Sequence, residues 1–196
     1  MRGMTDRSGA VLRYRIDAAD RIVAVSDNWL AFARRNGAPQ LTPDAVLGRS
    51  LWGFVADRET VDLSRMIFDR VRAGTSEAVL PFRCNSPRIR RDLEMSLRPT
   101  DGHELEICTS VVREHAGGYV ALLDPGAPRS DDIVKACSWC NRIELPEQGW
   151  VEVDAAVRQL GLFAGPLTPR VSHGICPDCV ARTRAALERT DDPAPL

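Results

Sequence analysis

The spacing of apolar residues in the first two thirds of the chain predicts a small antiparallel sheet with helices inserted into it. Residues 11–16 and 21–26 alternate between apolar and polar positions around a short polar turn, which predicts a β-hairpin. Residues 28–35 and 57–73 carry apolar side chains at helical spacing, and a glycine ends each stretch. Three further strand patterns follow, at residues 77–84, 90–98 and 103–113. This order of elements is typical of an α+β fold with the helices on one face of the sheet.

The last third of the chain is patterned for a second, smaller unit. Residues 124–132 are rich in proline, glycine and charge, and we interpret them as a linker. They separate a first domain at residues 11–123 from a module at residues 133–189. Inside the module the pattern predicts a hairpin, a short helix, a loop over residues 161–170 and a final helix at residues 180–189.

Two Cys-x-x-Cys pairs carry the most specific chemistry in the chain. They are Cys137 with Cys140, and Cys176 with Cys179. Two residues between cysteines let the chain turn sharply, so that both sulfurs reach one ion, and two such turns supply the four thiolates of a tetrahedral zinc site. The module has too little core to fold on apolar burial alone, so we expect a structural zinc ion to contribute on the order of 10 kcal/mol. A site closed by four cysteines has no open position for hydrolytic catalysis.

The role of His173, three residues before Cys176, is left open by the sequence. Its imidazole can replace one cysteine as a metal ligand, or donate a hydrogen bond to a coordinating sulfur. It can also be an ordinary turn residue. Because four cysteines already complete a structural site, direct ligation is the less favoured of these interpretations.

Composition and charge restrict the function classes. The chain has 196 residues, of which 44% are hydrophobic, and a formal net charge of −1. This apolar content is enough for a packed core, and the lack of a basic excess argues against a dedicated nucleic-acid binder. We see neither a secretory signal nor a run long enough for a membrane helix, so we expect a cytoplasmic protein without a membrane partner. Thiols stay reduced in that compartment, which favours metal binding over disulfides.

The first domain resembles the PAS fold, a sensory and interaction domain of about this length. The resemblance is carried by residues 14–30, the turn at residues 46–52 and the three closing strand patterns. It implies an antiparallel sheet that encloses a cavity with its helices, and frequent dimerisation. The helix at residues 57–73 has no histidine and Cys84 lies at a predicted strand end, so we expect neither haem nor a photoreactive flavin. The side chains that either line a ligand cavity or form ordinary core are Trp29, Phe32, Trp52, Phe54, Met66 and Phe68.

A second resemblance is carried by Cys137-Ser-Trp-Cys140, Trp150 and the run from Ser172 to Cys179. These residues are similar to a short C-terminal cysteine module that follows sensory domains in bacteria. The resemblance implies a zinc-binding appendage on a bacterial sensory protein. The predicted fold class is therefore α+β, with a PAS-like antiparallel sheet and helices on one face, followed by a small zinc-ribbon-like α/β module.

These features favour a non-enzymatic signalling or regulatory protein over two alternatives. The chain shows no Gly-rich phosphate loop, kinase ATP-binding segment or nucleophile elbow. Output is expected to pass through an unknown signalling partner, or through a homodimer formed by the PAS-like domain. The first alternative is a thiol redox sensor that releases zinc on oxidation. The second is a zinc-ribbon nucleic-acid binder, although the module has no basic run.

Arginines concentrate around one predicted turn of the first domain. They are Arg83, Arg88, Arg90 and Arg91. Such a group can bind an anion or an acidic partner. It can also be a solvated sheet edge whose charges discourage aggregation, and the nearby carboxylates of Asp57, Asp92 and Glu94 favour this second interpretation.

Overall fold

A five-stranded antiparallel sheet forms the first part of the protein, in a computed structural model that describes residues 11–74, 77–161 and 167–189. Its strands are β1 (Leu12–Ile16), β2 (Ile22–Val25), β3 (Ala78–Arg83), β4 (Ile89–Pro99) and β5 (Leu105–Ala116). They lie in the order β2-β1-β5-β4-β3, and each neighbouring pair is antiparallel. The predicted hairpin of β1 and β2 closes one side of this sheet, and β3 is the edge strand on the other side.

Three α-helices and one short 3-10 helix lie between β2 and β3 in the described part of the chain. The three α-helices are α1 (Asp27–Arg35), α2 (Pro43–Val46) and α3 (Arg58–Ala73). The two longer helices begin at side-chain caps: Ser26 accepts a hydrogen bond from the Trp29 N–H, and Asp57 accepts one from the Thr60 N–H. Among the described residues, no helix is long and apolar enough to cross a membrane.

One face of the five-stranded sheet is buried beneath the helices. Ile107 lies at the centre of this face, between its cross-strand partners Tyr14 and Leu97. Because successive strand residues point to opposite faces, every second residue of each strand joins the same apolar layer. Helix α3 adds Ile67 and Phe68 to that layer, and both are almost fully buried. The predicted α+β fold class, with an antiparallel sheet and helices on one face, is confirmed.

A second sheet of four strands follows. Its strands are β6 (Arg129–Cys137), β7 (Ile143–Leu145), β8 (Gly149–Val151) and β9 (Thr168–Gly174), in the order β8-β7-β6-β9. Helix α4 (Val153–Gln159) packs on β7, and helix α5 (Pro177–Arg189) packs on β3 and α3 of the first part. The second sheet has a small apolar core of its own, made of Leu122, Val134, Ala136, Ile143, Leu145, Val153, Ala156 and Val157.

Strand β6 begins at Arg129, inside the segment at residues 124–132 that the sequence presents as a linker. The Arg129 guanidinium donates hydrogen bonds to the backbone oxygens of Leu122 and Asp124, at 3.2 and 2.6 Å. Leu122 itself is buried in the core of the second sheet. One arginine thus holds this segment against the second sheet, while the boundaries of the predicted domains stay a prediction.

Strand β9 begins at Thr168, where the sequence pattern predicts a loop over residues 161–170. Residues 162–166 of that loop lie outside the described part of the chain. Strand β9 pairs with β6 in parallel, and a parallel pair needs a long crossover, which here includes α4. The pairing joins distant stretches of sequence, so local alternation gives no sign of it.

Candidate metal centre

The parallel pairing of β6 and β9 brings the two Cys-x-x-Cys turns together. Cys137 is the last residue of β6 and pairs with Gly174, the last residue of β9. The first turn therefore leaves the sheet beside the second, which runs into α5: Cys176 directly precedes that helix and Cys179 lies in its first turn. As a result the sulfurs of Cys137, Cys140, Cys176 and Cys179 all lie within 4.8 Å of one another. We call these four residues the cysteine centre.

The geometry of the cysteine centre fits a tetrahedral metal ion. Sulfurs placed about 2.3 Å from such an ion, the distance at which thiolates bind zinc, lie about 3.8 Å apart. The Cys140 and Cys176 sulfurs are 3.7 Å apart. All four cysteines are buried, with exposed fractions between 0% and 6%. Four soft donors in a closed, water-poor site can hold a metal ion and leave no position for a substrate.

Two groups around the centre stabilise negative charge on sulfur. The Cys176 N–H donates to the Cys137 sulfur at 3.3 Å. Arg182 lies one turn into α5, and its guanidinium donates to the Cys179 sulfur at 3.0 Å. Four thiolates carry two more negative charges than a divalent cation neutralises, so the Arg182 cation beside them offsets part of the excess. The N-terminal end of α5 favours thiolate in the same way.

The thiol protons are shared unevenly when no metal is bound. Hydrogen bonds from Cys140 and Cys179 hold the pKa of Cys137 far below that of an ordinary thiol. The hydrogen bond between Cys140 and Cys137 raises the pKa of Cys140, because Cys140 is the donor and keeps its proton. The hydrogen bond between Cys179 and Cys137 likewise raises the pKa of Cys179, although the hydrogen bond from Arg182 lowers it. These thiols therefore titrate as a coupled group, and an incoming metal ion displaces their remaining protons.

His173 lies beside the centre without joining it. It is exposed on β9, at the register position opposite Ala136 of β6. Within the described ranges, the group that could hold a metal ion consists of the four cysteines alone. The charge of His173 acts on Asp57, whose carboxyl pKa it helps to lower. This placement favours neither metal ligation nor a bond to a coordinating sulfur.

The first cysteine turn is attached to the edge strand of the five-stranded sheet through Trp139. The indole N–H of Trp139 donates to the Pro81 oxygen on β3 at 3.0 Å. The Arg83 N–H of the same strand donates to the Trp139 oxygen at 2.8 Å. Pro81 has no N–H to offer, which suits an edge strand. The turn therefore covers a sheet edge that would otherwise expose unpaired backbone groups.

Both cysteine turns are also attached to the first turn of α3. Ser138 donates from its hydroxyl to the Asp57 carboxylate at 2.9 Å. Glu59 accepts one hydrogen bond from the Ile175 N–H and another from the Lys135 ammonium, each at 2.9 Å. The bond from Lys135 is the main reason why the pKa of Glu59 lies below its ordinary value. Burial alone would raise the pKa of Asp57, but hydrogen bonds from Thr60 and Ser138 lower it overall.

The contacts of Trp139, Ser138 and Glu59, which we call the docking contacts, were missed by sequence reasoning. Trp139 and Ser138 occupy the two positions between Cys137 and Cys140, where spacing analysis looks only at the cysteines. One usable signal was present. A large aromatic residue inside a metal-binding turn has to be buried against something outside that turn, because the turn is too small to cover it.

The six candidate cavity residues are placed in different environments. The rings of Trp52 and Phe68 contact each other in a tilted arrangement, with centres 5.5 Å apart. Phe54 and Met66 are 44% and 37% exposed, so these two do not lie in an enclosed interior. The other two are half-buried: Trp29 packs against the core, and Phe32 lines a separate cleft at the end of α1. A ligand cavity formed by this set stays a prediction.

Comparison with known proteins gives a partial similarity to a solved structure. The sequence matches no protein-family model and no curated protein. The solved photoactive yellow protein domain from the sensor histidine kinase Ppr of Rhodospirillum centenum is 18% identical to it. That similarity covers 53% of this chain and 87% of the other, with a TM-score of 0.39. At this level the similarity carries no argument about function, which has to come from the cysteine centre and its surroundings.

Proposed function

We propose that this chain is a non-enzymatic signalling or regulatory protein, in which a PAS-like sensing or interaction domain is coupled to a structural zinc module. The observation that carries the proposal is the position of the cysteine centre. It lies at the junction with the first sheet, where the docking contacts reach β3 and α3. A metal ion there orders the second sheet and fixes its orientation on the PAS-like sheet.

Zinc is the proposed metal because of the donor set. Four cysteine sulfurs in a tetrahedral, closed arrangement are typical of structural zinc. Zinc has no redox chemistry of its own and needs no open coordination position for this role. The burial of all four sulfurs supports a structural role over a redox sensor, since oxidation-sensing cysteines are solvent-accessible.

The charged groups of the module support protein interaction over nucleic-acid binding. Arg142 is paired with Glu152 and Asp178, and Arg170 is paired with Asp131. A cation that is already paired with a carboxylate has less to gain from a phosphate. We expect signal output through a partner protein or through a homodimer formed by the PAS-like domain.

Metal content and native mass of the purified full chain test this proposal. We expect about one zinc ion per chain, because four thiolates complete one tetrahedral site. Cys137→Ser and Cys176→Ser should each lose the ion. The matched controls are Cys84→Ser and Cys108→Ser, since these cysteines lie outside the centre and should leave zinc content unchanged.

The native mass also reports self-association. A wild-type protein that is fully ordered without metal would contradict the zinc module, and so would a cysteine centre that carries an iron–sulfur cluster. A monomer at every concentration would leave partner binding as the sole route for output.

A further inference from the structure

A cleft lies at the C-terminal end of α1. It is separated from the cysteine centre, which lies beside β3 at the far edge of the sheet. It has a volume of about 750 Å³ and lies between α1 and strands β1, β4 and β5. Small-molecule sites typically range from about 300 to 1,000 Å³, so the cleft is large enough for one. Leu12, Phe32 and Val111 give it apolar walls, and Arg91, Arg35 and Glu114 give it charge.

Arg91 is the unusual residue of this cleft. Its side chain is only 8% exposed, and its Nε donates to the Glu114 carboxylate at 2.6 Å. The Nη1 atom is buried and has no hydrogen-bond partner in the described part of the chain. The guanidinium carbon lies 5.5 Å from the centre of the Phe32 ring. The Nε of this buried guanidinium is therefore paired and its Nη1 is not.

The other arginines of the predicted cluster differ from Arg91. Arg83 is paired with Asp92 and Glu152, and Arg90 is paired with Asp154. These pairs agree with a partly solvated edge. Arg91 lies inside the protein, where an unpaired polar group is costly and where a guanidinium can bind a carboxylate with two parallel hydrogen bonds.

The charges around the cleft indicate the ligand. Arg91 and Arg35 are cations and Glu114 is an anion, so the three leave one positive charge, which matches a monoanion. A phosphate monoester would carry close to two negative charges and would approach the Glu114 carboxylate as well. The apolar walls of Leu12 and Val111 suit a hydrocarbon body.

We propose that the cleft between α1 and the sheet binds a small carboxylate with an apolar or aromatic body, and that Arg91, which lines the cleft, turns its unpartnered Nη1 toward the carboxylate when the ligand binds. This proposal names a ligand class for the sensing domain proposed above, and it rests on that proposed function in this respect alone. Binding does not depend on the cysteine centre, so zinc content and ligand binding can fail separately.

Titration of the zinc-loaded full chain with 4-phenylbutyrate tests the proposal. Side-chain Nε–Hε signals of the arginines are followed by nuclear magnetic resonance, with 4-phenylbutyramide as a neutral compound of the same shape. We expect saturable shifts of the Arg91 signal with the carboxylate, and binding at least tenfold weaker for the amide, because the amide lacks the charge that strengthens the bond to arginine. Inorganic phosphate, titrated in parallel, should bind more weakly than the carboxylate.

Variants separate a ligand site from a structural arginine. Arg91→Lys keeps the charge beside Glu114 and loses the planar fork, so affinity for 4-phenylbutyrate should fall about tenfold. Val111→Phe fills the cleft and should abolish binding while Arg91 is untouched. Arg34→Gln is the control, because this exposed neighbour of Arg35 on α1 does not line the cleft and should bind like wild type. If Arg91→Lys does not fold, Val111→Phe and Arg35→Gln still test the site.

Two results would overturn the proposal. The first is equal binding of 4-phenylbutyrate and its amide, or no saturable binding of either at millimolar concentration. The second is carboxylate binding that Val111→Phe leaves unchanged. In either case the Arg91 Nη1 is satisfied by the face of Phe32, and the residue has a purely structural role.

Discussion

The two sheets of this protein achieve order in different ways. The five-stranded sheet buries a full apolar face under helices, with residues such as Ile67, Leu97 and Ile107 completely removed from solvent. The four-stranded sheet has a core of eight buried residues, and its strands β7 and β8 are three residues long. A unit with so little apolar burial needs further stabilisation, and the cysteine centre can provide it.

The position of the cysteine centre makes the comparison more informative. The four cysteines do not pack in the small core of their own sheet. They belong to the apolar cluster that contains α3 and the first sheet, together with Trp139 and Ile175. A metal ion bound there stabilises the junction between the sheets as well as the second sheet itself. We therefore expect the second sheet to depend on metal, and the first sheet to fold without it.

Metal removal should give the largest effect. Chelation of the wild-type protein should remove on the order of 10 kcal/mol from the module, which is more than a small core can replace. Circular dichroism and denaturant titration should then show an unfolded second sheet and one remaining cooperative transition from the first. A single transition that is unchanged by chelation would mean that the two sheets do not differ in this way.

Truncation of Trp139 should give the next largest effect. Trp139→Ala removes a side chain that is 8% exposed, together with its hydrogen bond to the Pro81 oxygen. Loss of a buried tryptophan typically costs about 3–5 kcal/mol. Because the cysteines are untouched, zinc content should stay near wild type while the module becomes less protected from protease. Trp150→Ala removes a side chain of the same size that is only half-buried at the margin of the same apolar cluster, so it should cost less.

A pair of core substitutions sharpens the contrast between the sheets. Ile67→Ala on α3 and Ile143→Ala on β7 both remove a fully buried isoleucine, and each should cost about 2–5 kcal/mol. The cost of Ile67→Ala should be the same with and without zinc. That of Ile143→Ala should be measurable only in the zinc-loaded protein, because its sheet is already unfolded without metal. Equal behaviour of the two variants would contradict the separate dependence on metal.

Loss of the Glu59 contacts should have the smallest effect on the free energy of unfolding. Glu59→Gln weakens the bonds from Lys135 and from the Ile175 N–H, and the side chain is 55% exposed, so we expect a loss below about 1 kcal/mol. The pKa of Glu59 is lowered by the bond from Lys135. Its contribution is therefore present above the ordinary carboxyl pKa and is lost as the pH falls through the lowered value. Denaturant titration at neutral pH, beside Asp62→Asn on the same helix, measures the difference.

The elements of the first sheet could be predicted because its signals are local. Strand alternation in β1 and the helical spacing of α1 and α3 involve residues close together in sequence. The parallel pair of β6 and β9 joins residues that are far apart, such as Val134 and Val171, and was missed. Local periodicity carries no information on such a pairing.

The site could be predicted in part for the same reason. Cysteine spacing identified the four residues that the structure brings together, since each pair is a local turn. The docking contacts could not be read from the sequence, because they join Ser138 and Ile175 to the start of α3. The unpartnered Nη1 of Arg91 was also hidden, since Arg83, Arg90 and Arg91 all have carboxylate partners and only burial distinguishes Arg91.

Hydrogen exchange of the full chain, with and without a zinc chelator, tests the central claim most directly. The claim is that metal at the cysteine centre holds the second sheet on β3 and α3. We predict that chelation removes protection from β6, β9 and α5 and from the Arg83 amide, which is bonded to the Trp139 oxygen. Amides of β4 and β5 should keep their protection. Unchanged protection in β6 and β9, or its loss throughout both sheets, would contradict the claim.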